Sequence, residues 1–138
     1  MIADHDFSFE NLTVYQCVRR FVKEVYLVQS AFPVEEKFAL GDQLRRASIS
    51  VSSNLAEGSG RASYREKIHF IGISYGSLME VYSQLQLSVD LGYLCEAKFL
   101  ELRSDIIAIS KMLSGLRSTF QKMLNSQSTV GALSSSSE

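Results

Sequence analysis

The sequence predicts an all-α chain folded as an up-down-up-down four-helix bundle. Three observations lead there. Apolar residues recur at steps of three and four in four separate stretches, the period of a helix buried along one side. The breaks between them are short and carry turn or cap residues: Phe32-Pro33, Gly58-Ser59-Gly60 and Leu91-Gly92. No stretch alternates apolar and polar residues as a half-buried strand would, and no internal repeat is visible. Four helices of about 20–30 residues, each about 30–45 Å long and joined by short connections, pack antiparallel.

The first helix is expected from about Phe9, with Asn11 as a candidate cap. Val14, Val18, Phe21, Val25, Val28 and Phe32 form its core stripe, and Leu12, Tyr15, Val22 and Tyr26 widen it, so two of its sides are expected to be covered. Phe32-Pro33 ends it, because a residue before proline avoids the helical region. Pro33 suits the first turn of the second helix, with Glu35 and Glu36 at its positive end. That helix is expected to reach Glu57, where Gly58 supplies the cap. Ser63 and Glu66 form a capping box for the third helix, about Tyr64 to Leu91, with Ile71, Leu78, Val81 and Leu85 as its seam and Gly92 as its C-terminal cap. The fourth starts near Cys95 or Glu96 and carries Phe99, Leu102, Ile106, Ile109, Leu113, Leu116 and Phe120 in heptad-like spacing. The pattern stops after Leu124. Residues 9–124 therefore read as one bundle domain, and Asn125 to Glu138 as a flexible Ser-rich tail.

The second and third helices carry an unusual face. Gln43, Arg46, Ser50, Asn54 and Glu57 recur at helical steps beside the apolar stripe. Serine and asparagine favour caps and turns, so a run of them in mid-helix points to close contact with another helix. Gly72, Ser74, Gly76 and Ser77 cluster in the third helix and suggest a closely approaching backbone. With Ser77 and Glu80 these positions form a candidate polar stripe for register and self-association, Arg46 pairing with Glu57 or Glu80.

Composition narrows the function classes. The 138 residues are enough for one domain, and 46% of them are hydrophobic, including eight Phe and six Tyr. The net charge of −1 supplies no bulk attraction to nucleic acid, so any such binding needs a local basic patch. Cys17 and Cys95 stand far apart, without CxxC spacing or a neighbouring histidine, and read as buried thiols of a cytoplasmic protein. The N-terminus lacks the cationic start of a signal peptide, and no apolar run reaches the roughly 20 residues of a membrane span. His5 and His69 have no partners at triad or metal spacing. Glu66-Lys67-Ile68-His69 fits the Glu-x-x-His pattern of di-iron bundles once, with no second copy. No catalytic residue, metal or cofactor is expected.

Phe32-Pro33, Glu36, Leu40, Gln43-Leu44-Arg45-Arg46-Ala47, Ser50, Asn54-Leu55-Ala56-Glu57-Gly58, Gly60-Arg61, Phe70, Gly76-Ser77, Glu80 and Leu91-Gly92-Tyr93 carry a resemblance. In these residues the chain resembles the four-helix-bundle family encoded by intervening sequences of bacterial large-subunit ribosomal RNA genes. The accessory variability determinant of diversity-generating retroelements belongs to the same broad group. Many members have Ile-Pro where this chain has Ile49-Ser50-Val51-Ser52, a departure that touches local helix geometry. The resemblance implies the same bundle and a homopentameric barrel. In the retroelement branch it implies nucleic-acid binding and association with a reverse transcriptase.

Two functions follow as expectations, neither enzymatic. The first is binding of RNA by Arg19, Arg20 and Lys23 on the first helix, repeated around a ring. Arg45, and the turn cations Arg61, Arg65 and Lys67 near a helix start, are further phosphate candidates. The second is a protein-interaction scaffold, for a reverse transcriptase or another cytoplasmic partner, that binds no nucleic acid itself.

Overall fold

A computed structural model describes residues 7–136. The described residues form four α-helices and no strand: α1 (Thr13–Ser30), α2 (Leu40–Ser59), α3 (Tyr64–Asp90) and α4 (Glu96–Ser136). Short 3-10 turns cover Ser8–Asn11 and Val34–Glu36. Each helix packs on its neighbours in the order α1, α2, α3, α4 and back to α1, while α1 and α3 lie across the diagonal, their backbones farther apart. The apolar stripes meet inside. Val18, Val25, Leu44, Val51, Leu78, Val81, Leu85 and Leu113 are wholly buried, together with nearly all of Phe21, Leu55, Leu102 and Ile109. At one end Phe32 packs on Tyr93, whose hydroxyl donates to Glu36 (3.2 Å). At the other, Tyr64 packs on Phe120 and Ser8 reaches Ser59.

Several boundaries follow local chemistry. Ser63 Oγ accepts the Glu66 N–H (3.1 Å) and donates to the Glu66 carboxylate (3.3 Å), so Ser63 caps α3 with Glu66 as its partner, the pair the sequence predicts. Gly92, with φ of 79°, follows the end of α3 in the left-handed conformation that glycine adopts cheaply.

Other boundaries differ from the sequence reading. Asn11 ends a 3-10 turn, and α1 starts behind Leu12 with no side-chain cap. α2 does not begin at Pro33. It begins at Leu40, after the 3-10 turn, and Gly41 at its start lies against the chain just left: a Cβ there would come within 2.9 Å of Gln29 Oε1 and 3.1 Å of the Glu36 carbonyl. Gly58 is no cap. It sits buried inside α2, where a Cβ would lie 2.7 Å from the Cβ of Phe70. α4 does not stop at Leu124 but continues to Ser136. Extending a formed helix costs far less than starting one, and its backbone bonds need no neighbour. Cys95 is exposed and Cys17 half-buried, and both are free thiols. His5 and the rest of the lead-in to Asp6 lie outside the described residues, as do Ser137 and Glu138. No described helix is long and apolar enough to cross a membrane.

Candidate nucleic-acid interface

Helical spacing puts Arg19, Lys23 and Tyr26 of α1 on one outward face, at i, i+4 and i+7. Arg19 and Lys23 are exposed and have no carboxylate partner among the described residues. Arg20 points to the α4 side, where its guanidinium donates to Cys17 Sγ (3.2 Å) and borders a groove with Glu24 and Lys98. Tyr26 reads from the sequence as part of the core. It is 38% exposed beside the two free cations. An exposed ring beside free cations is the pairing that stacks unpaired bases while holding phosphates. The signal was present in the sequence as a seven-residue step from Arg19, hidden by tyrosine's frequent use as a core residue.

The other cation candidates do not join this face. Arg45 turns inward, donating to Gln29 Oε1 and to the Lys37 carbonyl (2.9 Å), and lies 3.6 Å from Asp42. Arg61 pairs with Glu57 (2.8 Å) and covers the Phe70 ring. Lys67 donates to the Ser59 carbonyl (2.9 Å). Arg65 is exposed and unpaired among the described residues, but α3 lies diagonally opposite α1. Arg65 therefore lies on the far side of the bundle from the α1 cations.

The polar stripe divides in two. Ser50 Oγ meets Ser77 Oγ at 2.7 Å across the α2–α3 contact, Asn54 donates to the Ser50 carbonyl (2.9 Å), and Ser74 Oγ donates to the Val51 carbonyl (2.7 Å). Gln43, Arg46, Glu57 and Glu80 face outward. Arg46 does not pair with Glu57 or Glu80. It takes Asp42 one turn earlier (3.0 Å), because that carboxylate lies on its own helix face, while Glu57 holds Arg61 and Glu80 accepts from Gln84. Gly72 and Gly76 also depart from expectation: a Cβ at either would meet nothing within 4 Å, so no backbone of this chain approaches them. Gln84 is only 6% exposed, yet its Oε1 has no hydrogen-bond donor.

Two groups near the α1–α2 and α3–α4 connections hold their protons more tightly than usual. The Glu24 hydrogen bond holds the Lys98 ammonium above its usual range, and burial followed by the Glu36 carboxylate does the same for the Tyr93 phenol. No group of three or more potential metal ligands clusters among the described residues.

The sequence of this helical bundle matches a known family model over most of its length. Residues 10–115 fit that of the 23S rRNA-intervening sequence protein. The chain belongs to that family. The intervening-sequence match ends at residue 115, so the last part of α4 is outside it. A solved structure, a protein of unknown function from the S23 ribosomal protein family of Bacteroides thetaiotaomicron VPI-5482, is similar with a TM-score of 0.71 at 20% identity, covering 76% of this chain and 95% of that one. At that identity the likeness concerns the fold alone. No curated protein matches this intervening-sequence chain.

Proposed function

We propose that this intervening-sequence family protein is a non-enzymatic cytoplasmic accessory protein that binds structured RNA on the outer face of α1. The observation that carries the reading is the unpaired pair Arg19 and Lys23 beside exposed Tyr26. Arg20 extends the basic face toward α4. One such face on a chain of net charge −1 is weak. Repeated in a cyclic homo-oligomer, a pentamer by family resemblance, it gains avidity. The outward Gln43, Arg46 and Glu80, the open flank at Gly72 and Gly76, and the donorless Gln84 Oε1 support self-association along α2 and α3. The family's association with 23S rRNA intervening sequences makes a stem-loop RNA the natural first probe.

The test is fluorescence anisotropy with a labelled RNA stem-loop carrying an unpaired loop, at several salt concentrations. The wild type is expected to bind with an affinity that falls steeply with salt, since phosphate contacts release counterions. Changing Arg19, Arg20 and Lys23 to Glu is expected to weaken it at least about tenfold and flatten the salt slope. Light scattering on the same samples reports subunit number, five being expected. Unchanged binding in the triple variant would refute the site. A second reading, a protein scaffold, rests on the exposed apolar residues near the α1–α2 connection, where Phe38 is 87% exposed and Val34 and Leu27 are also bare. It predicts salt-insensitive capture of a protein and no RNA binding.

A further inference from the structure

We infer that a cavity between the end of α2 and the start of α3 binds a small amphipathic carboxylate, a site independent of the RNA reading. The cavity holds about 280 Å³. Leu12, Leu55, Ile71, Leu116 and Phe120 form its walls. A dry apolar cavity of about 150 Å³ already takes up benzene, so this one has room for a two-ring aromatic or a short acyl chain.

Its polarity is one-sided. Among the described residues, Lys67 is the only charged one lining it. The ammonium gives one N–H to the Ser59 carbonyl and lies 5.9 Å from the centre of the Phe120 ring. Two of its three donors have no partner among the described residues. Tyr64, three residues earlier on the same helix, also lines the cavity, and its hydroxyl has no hydrogen-bond partner among the described residues. The nearby carboxylates are engaged elsewhere, Glu57 with Arg61 and Glu66 with Ser63. A half-buried cation at the edge of an apolar space, with no acid among the described residues to neutralise it, is complementary to an apolar anion and not to a cation or a sugar. Ser8 Oγ and Ser59 Oγ, 2.8 Å apart, tie the N-terminal turn across one side.

The probe is 2-naphthoate, with 2-naphthamide as its neutral counterpart, titrated into the full chain by calorimetry. Saturable one-to-one binding of naphthoate is expected, with naphthamide at least about tenfold weaker because it leaves the ammonium without a counter-charge. Lys67→Met is expected to remove that difference while leaving naphthamide binding in place. Leu116→Trp fills the cavity and is expected to abolish binding of both. Methyl NMR of the wild type reports location even if that variant misfolds: shifts should centre on Leu55, Ile71 and Leu116. No saturable binding to the wild type overturns the site. So does an unaltered naphthoate affinity in Lys67→Met, or shifts that fall elsewhere.

Discussion

The α2–α3 and α1–α4 contacts of this bundle are built on opposite plans. Across α2–α3 the facing side chains are serines and a glycine: Ser50 touches Ser77, Ser74 bonds to the backbone of α2, and Gly58 admits Phe70. Across α1–α4 the edge is closed by long charged chains, Lys98 reaching Glu24 (2.7 Å), and a groove of about 670 Å³ stays open beneath Cys17, Arg20 and Ala108. Both seams bury apolar residues of similar make-up, Val18, Phe21 and Ile109 in one and Val51, Leu55, Ile71 and Leu78 in the other. The hydrophobic stripe therefore does not set helix separation. The smallest residues beside it do, since a backbone approaches only as near as the facing side chains allow.

The largest break in this comparison should come from Gly58→Val. Its first added carbon would sit 2.7 Å from Phe70 Cβ, on two helix backbones that cannot step aside separately. Overpacking of that kind costs about 1–3 kcal/mol or more. Ala108→Leu, an enlargement in the open groove, should change stability by less than about 0.5 kcal/mol. Urea unfolding of both variants decides it. Equal losses would mean that the two seams are equally tight.

A middle-sized effect belongs to the serines. Ser50→Ala and Ser77→Ala should each cost about 0.5–1.5 kcal/mol, the net worth of a hydrogen bond. The double variant should cost less than the sum, because the second change removes a partner already lost. Full additivity would separate the two hydroxyls energetically and leave their 2.7 Å approach without a stabilising role.

Much of this tight seam was legible in the sequence, because helical period and local capping are properties of near neighbours. Ser63 with Glu66, Gly92, and the serine run from Ser50 to Asn54 could be read from spacing alone. What depended on distant residues could not. Gly58 reads as a cap until Phe70 is seen against it, and Pro33 reads as a helix start until Gly41 is seen packed under Glu36. Arg45 and Arg19 look alike in the sequence, yet one is held by Gln29 and the Lys37 carbonyl and the other has no carboxylate partner among the described residues. The cavity beside Lys67 draws on the N-terminal turn and all the helix ends it touches, so no single stretch announces it.

The smallest effect sharpens the open side of the comparison through pH. Lys98 and Tyr93 both titrate higher in the folded chain than their ordinary values near about 10. A raised folded value means that the native state holds the proton more tightly, so stability falls with pH only where the unfolded chain has begun to lose it. Their contribution is fully present below about pH 10 and is lost as pH climbs through the folded values. The melting temperature should accordingly be insensitive to these two groups from neutral pH to about 9, then decline. Lys98→Met should cost less than about 1 kcal/mol at neutral pH, since its ion pairs with Glu24 and Glu101 are partly solvated. Combined with Tyr93→Phe it should make the alkaline decline shallower. A double variant whose alkaline decline matches the wild type would show that neither the charged edge of the α1–α4 seam nor the Tyr93–Glu36 contact is coupled to folding. The open groove would then owe its geometry to the apolar stripe alone, against the contrast drawn between the two seams.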